Sequence, residues 1–282
     1  MRIIKRSKGR RLYYYLQHSY RENKKVITKE LYLGKTIPKD IYEIIGRLRN
    51  EAKKDLYIKL EEIKKSFQRE YNKFPKSIKD KEKKQIAIVF TYNTNAIEGS
   101  TITLAETREI IEKNIAPNKS LSDIKETELH SKVFLDMLNK KEKISINLLL
   151  KWHYNLFNET KQDISGKFRD YSVRVGNYIA PDWQEVNRLM NKLINFINKS
   201  KLNAVELAAI SHFRFESIHP FGDGNGRVGR LLMNHILWYN KYPILIIENK
   251  KRMQYYKALQ EGEEAFLKHF LRLYLKVNKK RL

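Results

Sequence analysis

Ile218-His219-Pro220-Phe221-Gly222-Asp223-Gly224-Asn225-Gly226-Arg227-Val228-Gly229-Arg230 is the stretch on which the reading of this chain turns. The preceding Ala208-Ala209-Ile210-Ser211-His212-Phe213-Arg214-Phe215 reads as a helix ending near Ser217, and a second helix is expected from about Asn225 to Trp238. A glycine-rich loop entering a helix N-terminus turns backbone N–H groups and the positive end of the helix dipole toward one point, as phosphates require. Arg227 and Arg230 stand three apart, share a helix face and can grip phosphate oxygens in fork geometry. Asp223 is placed to hold a hard cation such as Mg²⁺ between phosphates. His219 is the group there able to accept a proton near neutral pH. Taken alone, the glycine loop suits a turn or a Ca²⁺-type loop as well.

Outward from this loop the chain reads as helix after helix. Residues 85–98 form one, and Thr103-Leu104-Ala105-Glu106 is a capping box opening the next, which Pro117 ends. Ser122-Asp123 begins a helix through about 139, and Ser145 caps one carrying Leu148, Leu149, Trp152, Leu156 and Phe157. Residues 184–199 and 203–217 are amphipathic helices. Tyr171-Ser172-Val173-Arg174-Val175, a Gly176-Asn177 turn and Tyr178-Ile179-Ala180-Pro181 predict a short hairpin. A second hairpin is expected over 11–33, with Arg21-Glu22-Asn23-Lys24-Lys25 as its turn. Residues 40–84 are helical and densely charged, broken at Phe74-Pro75. The expected fold is mainly α, with two small β excursions.

The chain has 282 residues, enough for a substantial core, and no run of eighteen apolar residues, so no membrane span is expected. It has no cysteine, which excludes disulfides and thiolate sites and suits a reducing cytoplasm. The front carries a basic start without an apolar run, which argues against a secretory signal. The formal charge is +25, and the first 84 residues hold 26 Lys and Arg against 11 Asp and Glu, a net of +15. Such a front suits either nucleic-acid binding or a solvated basic face.

His219-Pro220-Phe221-x-Asp223-Gly224-Asn225-Gly226-Arg227-x-x-Arg230 meets every fixed position of the signature of the Fic family, which this chain resembles. Gly166-Lys167-Phe168-Arg169, the stretch around His153, and Tyr255-Tyr256-Lys257-Ala258-Leu259 are also similar to that family, over roughly residues 85–275. The resemblance implies a Fic-type helical core with a hairpin flap, and transfer of AMP from ATP to a Ser, Thr or Tyr hydroxyl of a target protein. His219 would be the general base and Asp223 the Mg²⁺ ligand. Gly224, Asn225 and Gly226 would form the anion hole, the Asn225 side chain also reaching phosphate. Arg227 would hold the β-phosphate, Arg230 the γ-phosphate, and Tyr256 would lie beside the nucleotide. Phe221 would fix the loop from inside the core.

Thr94-Asn95-Ala96-Ile97-Glu98-Gly99 is similar to the family's inhibitory motif, in the version where that helix precedes the core. By that resemblance Glu98, with Thr94 on the same face, pairs with Arg230 and withholds it from the γ-phosphate. Residues 171–181 would be the flap on which a protein substrate docks by adding a strand. Glu263-Glu264 stand where many relatives carry Asn or Asp, which leaves the choice of nucleotide open; reversed (de-AMPylating) or other nucleotide or phosphate transfer and a homo-oligomeric state are open as well. A nucleic-acid-associated regulator using the basic front is the competing reading. The expected division is a basic hairpin segment over 1–45, a charged helical connector over 46–84, and the catalytic core over 85–282.

Overall fold

The computed structural model describes residues 2–9, 11–22, 25–38, 40–176 and 178–282. Asn23 and Lys24 of the first expected turn and Asn177 of the second lie outside the described residues. The chain divides into two compact units, residues 1–59 and 60–282.

The first unit contains an antiparallel sheet of β1 (Arg2–Lys8), β2 (Arg11–Glu22) and β3 (Lys25–Gly34), in that order. The hairpin β2–β3 is the expected one. β1 was not foreseen, because Arg2-Ile3-Ile4-Lys5-Arg6-Ser7-Lys8 alternates poorly and reads as a basic tail. It is recruited by pairing, Ile4 facing Tyr15 and Arg6 facing Tyr13. Tyr15 and Tyr32 meet across the sheet with ring centroids 5.3 Å apart, and Leu16 is buried.

The rest of the chain is helical. α1 (Ile41–Lys73) ends at Phe74, and Pro75, whose fixed φ and missing N–H suit a helix start, caps α2 (Lys76–Ile97). α2 therefore begins nine residues before the expected 85, its charged first turns carrying little apolar pattern. α3 (Leu104–Lys113) opens on the expected capping box, Thr103 Oγ1 accepting from Glu106 N and Glu106 Oε2 from Thr103 N. It ends on Asn114 in the left-handed conformation, ahead of Pro117. α4 (Leu121–Asn139) and α5 (Ile146–Phe157) follow, the latter capped by Ser145. Two-residue strands β4 (Arg174–Val175) and β5 (Tyr178–Ile179) form the short hairpin.

α6 (Val186–Lys199) buries Val186, Met190, Leu193 and Ile197, spaced as one helix face. α7 (Ala204–Ile218) and α8 (Asn225–Tyr239) are the centre of the core. α7 packs on α8, α6 and α10 (Glu263–Val277), and α8 also meets α2, α4 and α5. α9 (Arg252–Gln260) and α10 (Glu263–Val277) close the chain's helical order. Helices on all sides of α8 deliver side chains to its N-terminus, which is where the signature loop sits. No helix among the described residues is long and apolar enough to cross a membrane.

Candidate active site

The loop between α7 and α8 is shaped by its own residues. α7 ends on His219, which adopts φ 50°, a left-handed conformation that turns the chain away from the helix axis. Pro220 follows, and the Phe221 ring is fully buried. Phe221 stacks on His153 from α5, with centroids 3.9 Å apart and planes 9° apart. His153 Nδ1 accepts from the Gly166 N–H at 2.9 Å, which leaves Nε2 carrying the proton and donating to the Asp223 carbonyl at 3.0 Å. Burial holds the His153 imidazole down to a pKa of about 4, so this neutral tautomer persists at physiological pH.

Gly224 is the N-cap of α8 with φ +75°, and a Cβ there would lie 2.3 Å from the Phe157 ring. No side chain caps α8, so its first-turn N–H groups face the loop without a side-chain acceptor. Asn225 has a role in the loop that the signature does not reveal. Its Oδ1 accepts from Phe221 N at 2.8 Å and its Nδ2 donates to Phe221 O at 2.9 Å, so the amide braces the loop with one of its two N–H groups.

Arg230 is almost fully buried and extends to α2. Its Nε donates to Thr94 Oγ1 at 2.6 Å, and its Nη2 to the Thr94 carbonyl at 3.1 Å and to Glu98 Oε1 at 2.5 Å. Gly226 makes this meeting sterically feasible, since a Cβ there would stand 2.2 Å from Glu98 Oε1. Burial opposes the Arg230 charge, but the Glu98 carboxylate outweighs it and raises the pKa above its ordinary value. Glu216, buried behind Arg230, is pushed up to about 8 by desolvation and stays protonated at neutral pH. Tyr256 lies on the Glu98 side. Its hydroxyl donates to the Ile97 carbonyl at 3.1 Å, and with Glu98, Ser100, Asn249 and Arg252 it lines a polar cleft of about 470 Å³.

Arg227 is held by a different helix. Its Nη1 donates to Glu126 Oε2 of α4, its Nη2 lies 3.7 Å from Asp223 Oδ2, and its guanidinium covers the Phe157 ring at 4.5 Å. Lys161 Nζ bridges the two acids, 2.6 Å from Asp223 Oδ2 and 3.0 Å from Glu126 Oε1. Burial works against the Asp223 charge, but Lys161 and Arg227 together hold its pKa below the ordinary value. Arg227 Nε and Arg230 Nη1 are buried without a hydrogen-bond partner among the described residues. Two orphaned guanidinium donors beside an uncapped helix N-terminus are what a polyphosphate would satisfy.

A Fic/DOC family model matches residues 143–237, which span the whole of this loop. The chain carries a Fic domain. The protein adenylyltransferase Fic of Nematostella vectensis is 33% identical over 189 residues, 64% of this chain and 44% of that protein. Its counterpart in Drosophila erecta is 35% identical over 197 residues, 67% of this chain and 40% of that protein. The chain thus spans less than half the length of these curated relatives. A Fic-domain-containing signaling protein from Bacteroides thetaiotaomicron superposes with a TM-score of 0.67 at 25% identity, over 81% of this chain and 94% of that one. A fragment of C. elegans Fic-1 does so with a TM-score of 0.68 at 24% identity, over 86% and 77%.

Within the Fic domain the structure adds residues that the signature leaves out. Arg169 is the clearest. Its Nε donates to the His219 carbonyl at 2.8 Å, while Nη1 and Nη2 reach the Tyr171 and Pro181 carbonyls at 2.8 and 2.6 Å. One guanidinium thereby ties both feet of the β4–β5 hairpin to the backbone of the expected base. Burial, with the Arg169 charge in support, holds the His219 pKa below its ordinary value and keeps the imidazole neutral. On the hairpin itself Val175 and Ile179 are exposed, and Tyr178 donates to the Ser217 carbonyl at 2.7 Å. Glu126, Lys161 and His153 were also not singled out as site residues. A buried glutamate within an amphipathic helix was the one available signal, since an unpaired charge at a core position needs a partner.

Proposed function

We propose that this chain transfers AMP from ATP to a Ser, Thr or Tyr hydroxyl of a protein, and that Glu98 restrains it. The observation that carries the reading is the uncapped, glycine-led start of α8, with Arg227 and Arg230 on that helix each holding a buried guanidinium donor that has no hydrogen-bond partner among the described residues. First-turn N–H groups of α8 would hold the α-phosphate oxygens, with Arg227 on the β-phosphate and Arg230 on the γ-phosphate. His219, neutral near pH 7, would accept the proton of the target hydroxyl as its oxygen bonds to the α-phosphorus. The bond to the β-phosphate oxygen breaks in line and pyrophosphate leaves with the electron pair. This chemistry asks the protein for positioning and charge neutralisation.

Asp223 is a half-exposed carboxylate at the loop mouth, and no group of three or more acids or histidines gathers among the described residues. One protein carboxylate suits Mg²⁺, which takes its remaining ligands from phosphates and water, better than a cation requiring a protein cage. Mg²⁺ held there would supply positive charge to the pyrophosphate as it departs. The β4–β5 hairpin, with its exposed Val175 and Ile179, supports docking of an extended target segment along the flap. The Glu98–Arg230 ion pair supports autoinhibition, because the Glu98 carboxylate neutralises the guanidinium charge that the γ-phosphate would pair with, and would repel that phosphate.

The test is incubation with α-labelled ATP, Mg²⁺ and lysate, comparing the natural chain, Glu98→Gly and Glu98→Gly with His219→Ala. Label should appear on protein with Glu98→Gly and fall by about 10²–10⁴-fold in the double variant, with ATP affinity retained. No transfer by Glu98→Gly, or an ATP affinity lost along with His219, would remove the reading.

A further inference from the structure

Outside the signature residues, Lys161 occupies an unusual place. It stands in the turn after α5 and joins Asp223, Glu126 and Arg227 in a cluster of alternating sign. The cluster has an inner and an outer half. Arg227 and Glu126 are 7% and 10% exposed, whereas Lys161 and Asp223 are 32% and 47% exposed. Thr160 Oγ1 donates to Glu126 Oε1 at 3.1 Å, which anchors the inner acid further. The outer pair can rearrange without disturbing the core.

We propose that Lys161 is a resident counter-cation on Asp223, displaced onto Glu126 when a metal–nucleotide complex binds, and that it thereby sets the metal requirement of the site. This rests on the nucleotide reading above. The ammonium lies 2.6 Å from Asp223 Oδ2, and a Mg²⁺ ligated by that oxygen at about 2.0–2.1 Å cannot share the position with it. Glu126 Oε1 is already 3.0 Å from Nζ, so the lysine gives up one carboxylate and keeps the other. Its ammonium lies over the Phe157 ring, 5.1 Å from the centroid, which holds it at the loop mouth. From there the charge faces the phosphates whether or not a metal is present. The lysine therefore opposes metal loading and supports metal-free nucleotide binding at once.

The experiment measures ATP affinity of the full chain by calorimetry, on the Glu98→Gly background, in EDTA and across a Mg²⁺ series. Lys161→Met keeps the stem and removes the charge; Lys161→Gln does the same with a polar end, and Lys161→Arg retains the charge. In both uncharged variants the Mg²⁺ concentration that half-restores ATP binding should fall about three- to fivefold, the scale of a partly exposed ion pair. Their affinity for ATP in EDTA should weaken by a similar factor, and Lys161→Arg should behave as the parent. An unchanged Mg²⁺ midpoint in folded Lys161→Met or Lys161→Gln overturns this inference alone. Absence of ATP binding by the parent at every Mg²⁺ concentration overturns the nucleotide reading and this inference with it.

Discussion

Two arginines three residues apart on α8 are each gripped by a glutamate from another helix, and the two grips are built differently. Glu98 is the C-cap residue of α2, its side chain is 31% exposed, and its carboxylate ends on Arg230. Glu126 sits inside α4, is 10% exposed, and is shared among Arg227, Lys161 and Thr160. Moving Glu98 leaves Arg230 with both Thr94 contacts. Moving Glu126 strips Arg227 of its inner partner and leaves a buried charge. The same pairing of residue types thus yields a detachable contact in one place, which the proposed function uses as a stop, and a fixed bracket in the other. What separates them is position along the helix and the number of other groups that hold the acid.

The largest effect expected from this contrast is a difference of sign. Glu98→Gly should raise auto-modification at least tenfold by freeing Arg230, and adding Arg230→Ala should return it to the starting level. Glu126→Ala on the Glu98→Gly background should lower transfer by about 10²-fold, the scale of losing one preorganised charge contact in the transition state. Activation by both glutamate variants in labelled-ATP assays would make Glu126 a second stop and erase the distinction.

Stability should separate the two acids in the same direction. Truncating one partner of a buried pair costs about 3–5 kcal/mol, so Glu126→Ala should lower the melting temperature by roughly 10 °C or more. The more exposed Glu98 is expected to cost about 1–2 kcal/mol when removed, since charged hydrogen bonds contribute about 1.5–3 and solvent screens part of this one. ATP should recover more of that loss in Glu98→Gly than in the natural chain, by mass action on a site now open. Equal losses in scanning calorimetry would show that Glu98 is as structural as Glu126.

A smaller effect concerns the base. Burial lowers the His219 pKa most and Arg169 adds to it, whereas the Glu216 backbone, Glu98 and Asp223 act in the opposite sense. With His219 as the proposed base its neutral form is the active one, so transfer should fall on the acid side with a midpoint below the ordinary histidine value of about 6.5. Removing Glu98 deletes a charge that favours imidazolium, so the midpoints of Glu98→Gly and Glu98→Gln should both lie no higher than that of the natural chain. A midpoint above 6.5 would contradict a buried, neutral His219.

The sequence carried the fold centre and the outer identity of the site because both depend on local rules. Three glycines, a proline and two arginines at helical spacing define a loop and a helix start without reference to the rest of the chain. Thr103 and Glu106 announced a cap in the same way. The contacts that turn the loop into a site are long-range and left little local trace. Glu126 meets Arg227 across 101 positions, and Arg169 meets His219 across 50. Asn225 shows the limit of residue-by-residue expectation, since the bonds by which its amide braces the loop on Phe221 are not visible in the signature. β1 was missed for a related reason, because its strand character comes from pairing with β2 and not from its own pattern.

The smallest expected effect tests how loosely the Glu98 side is held. The Tyr256 hydroxyl donates to the Ile97 carbonyl, one residue before Glu98, at a helix end that has no further turn to satisfy that carbonyl. Tyr256→Phe keeps the ring and deletes this one bond, worth about 0.5–1.5 kcal/mol. The melting temperature should fall by a few degrees at most. If the end of α2 depends on such peripheral bonds to present Glu98, the natural chain should gain a few-fold in auto-modification, because the carboxylate leaves Arg230 more often. The same substitution on the Glu98→Gly background should leave transfer unchanged, since no stop remains to be loosened. A loss of ATP affinity on that background would instead place the hydroxyl against the nucleotide, and an unchanged natural chain would mean that Thr94 and Arg230 alone hold the end of α2 in position.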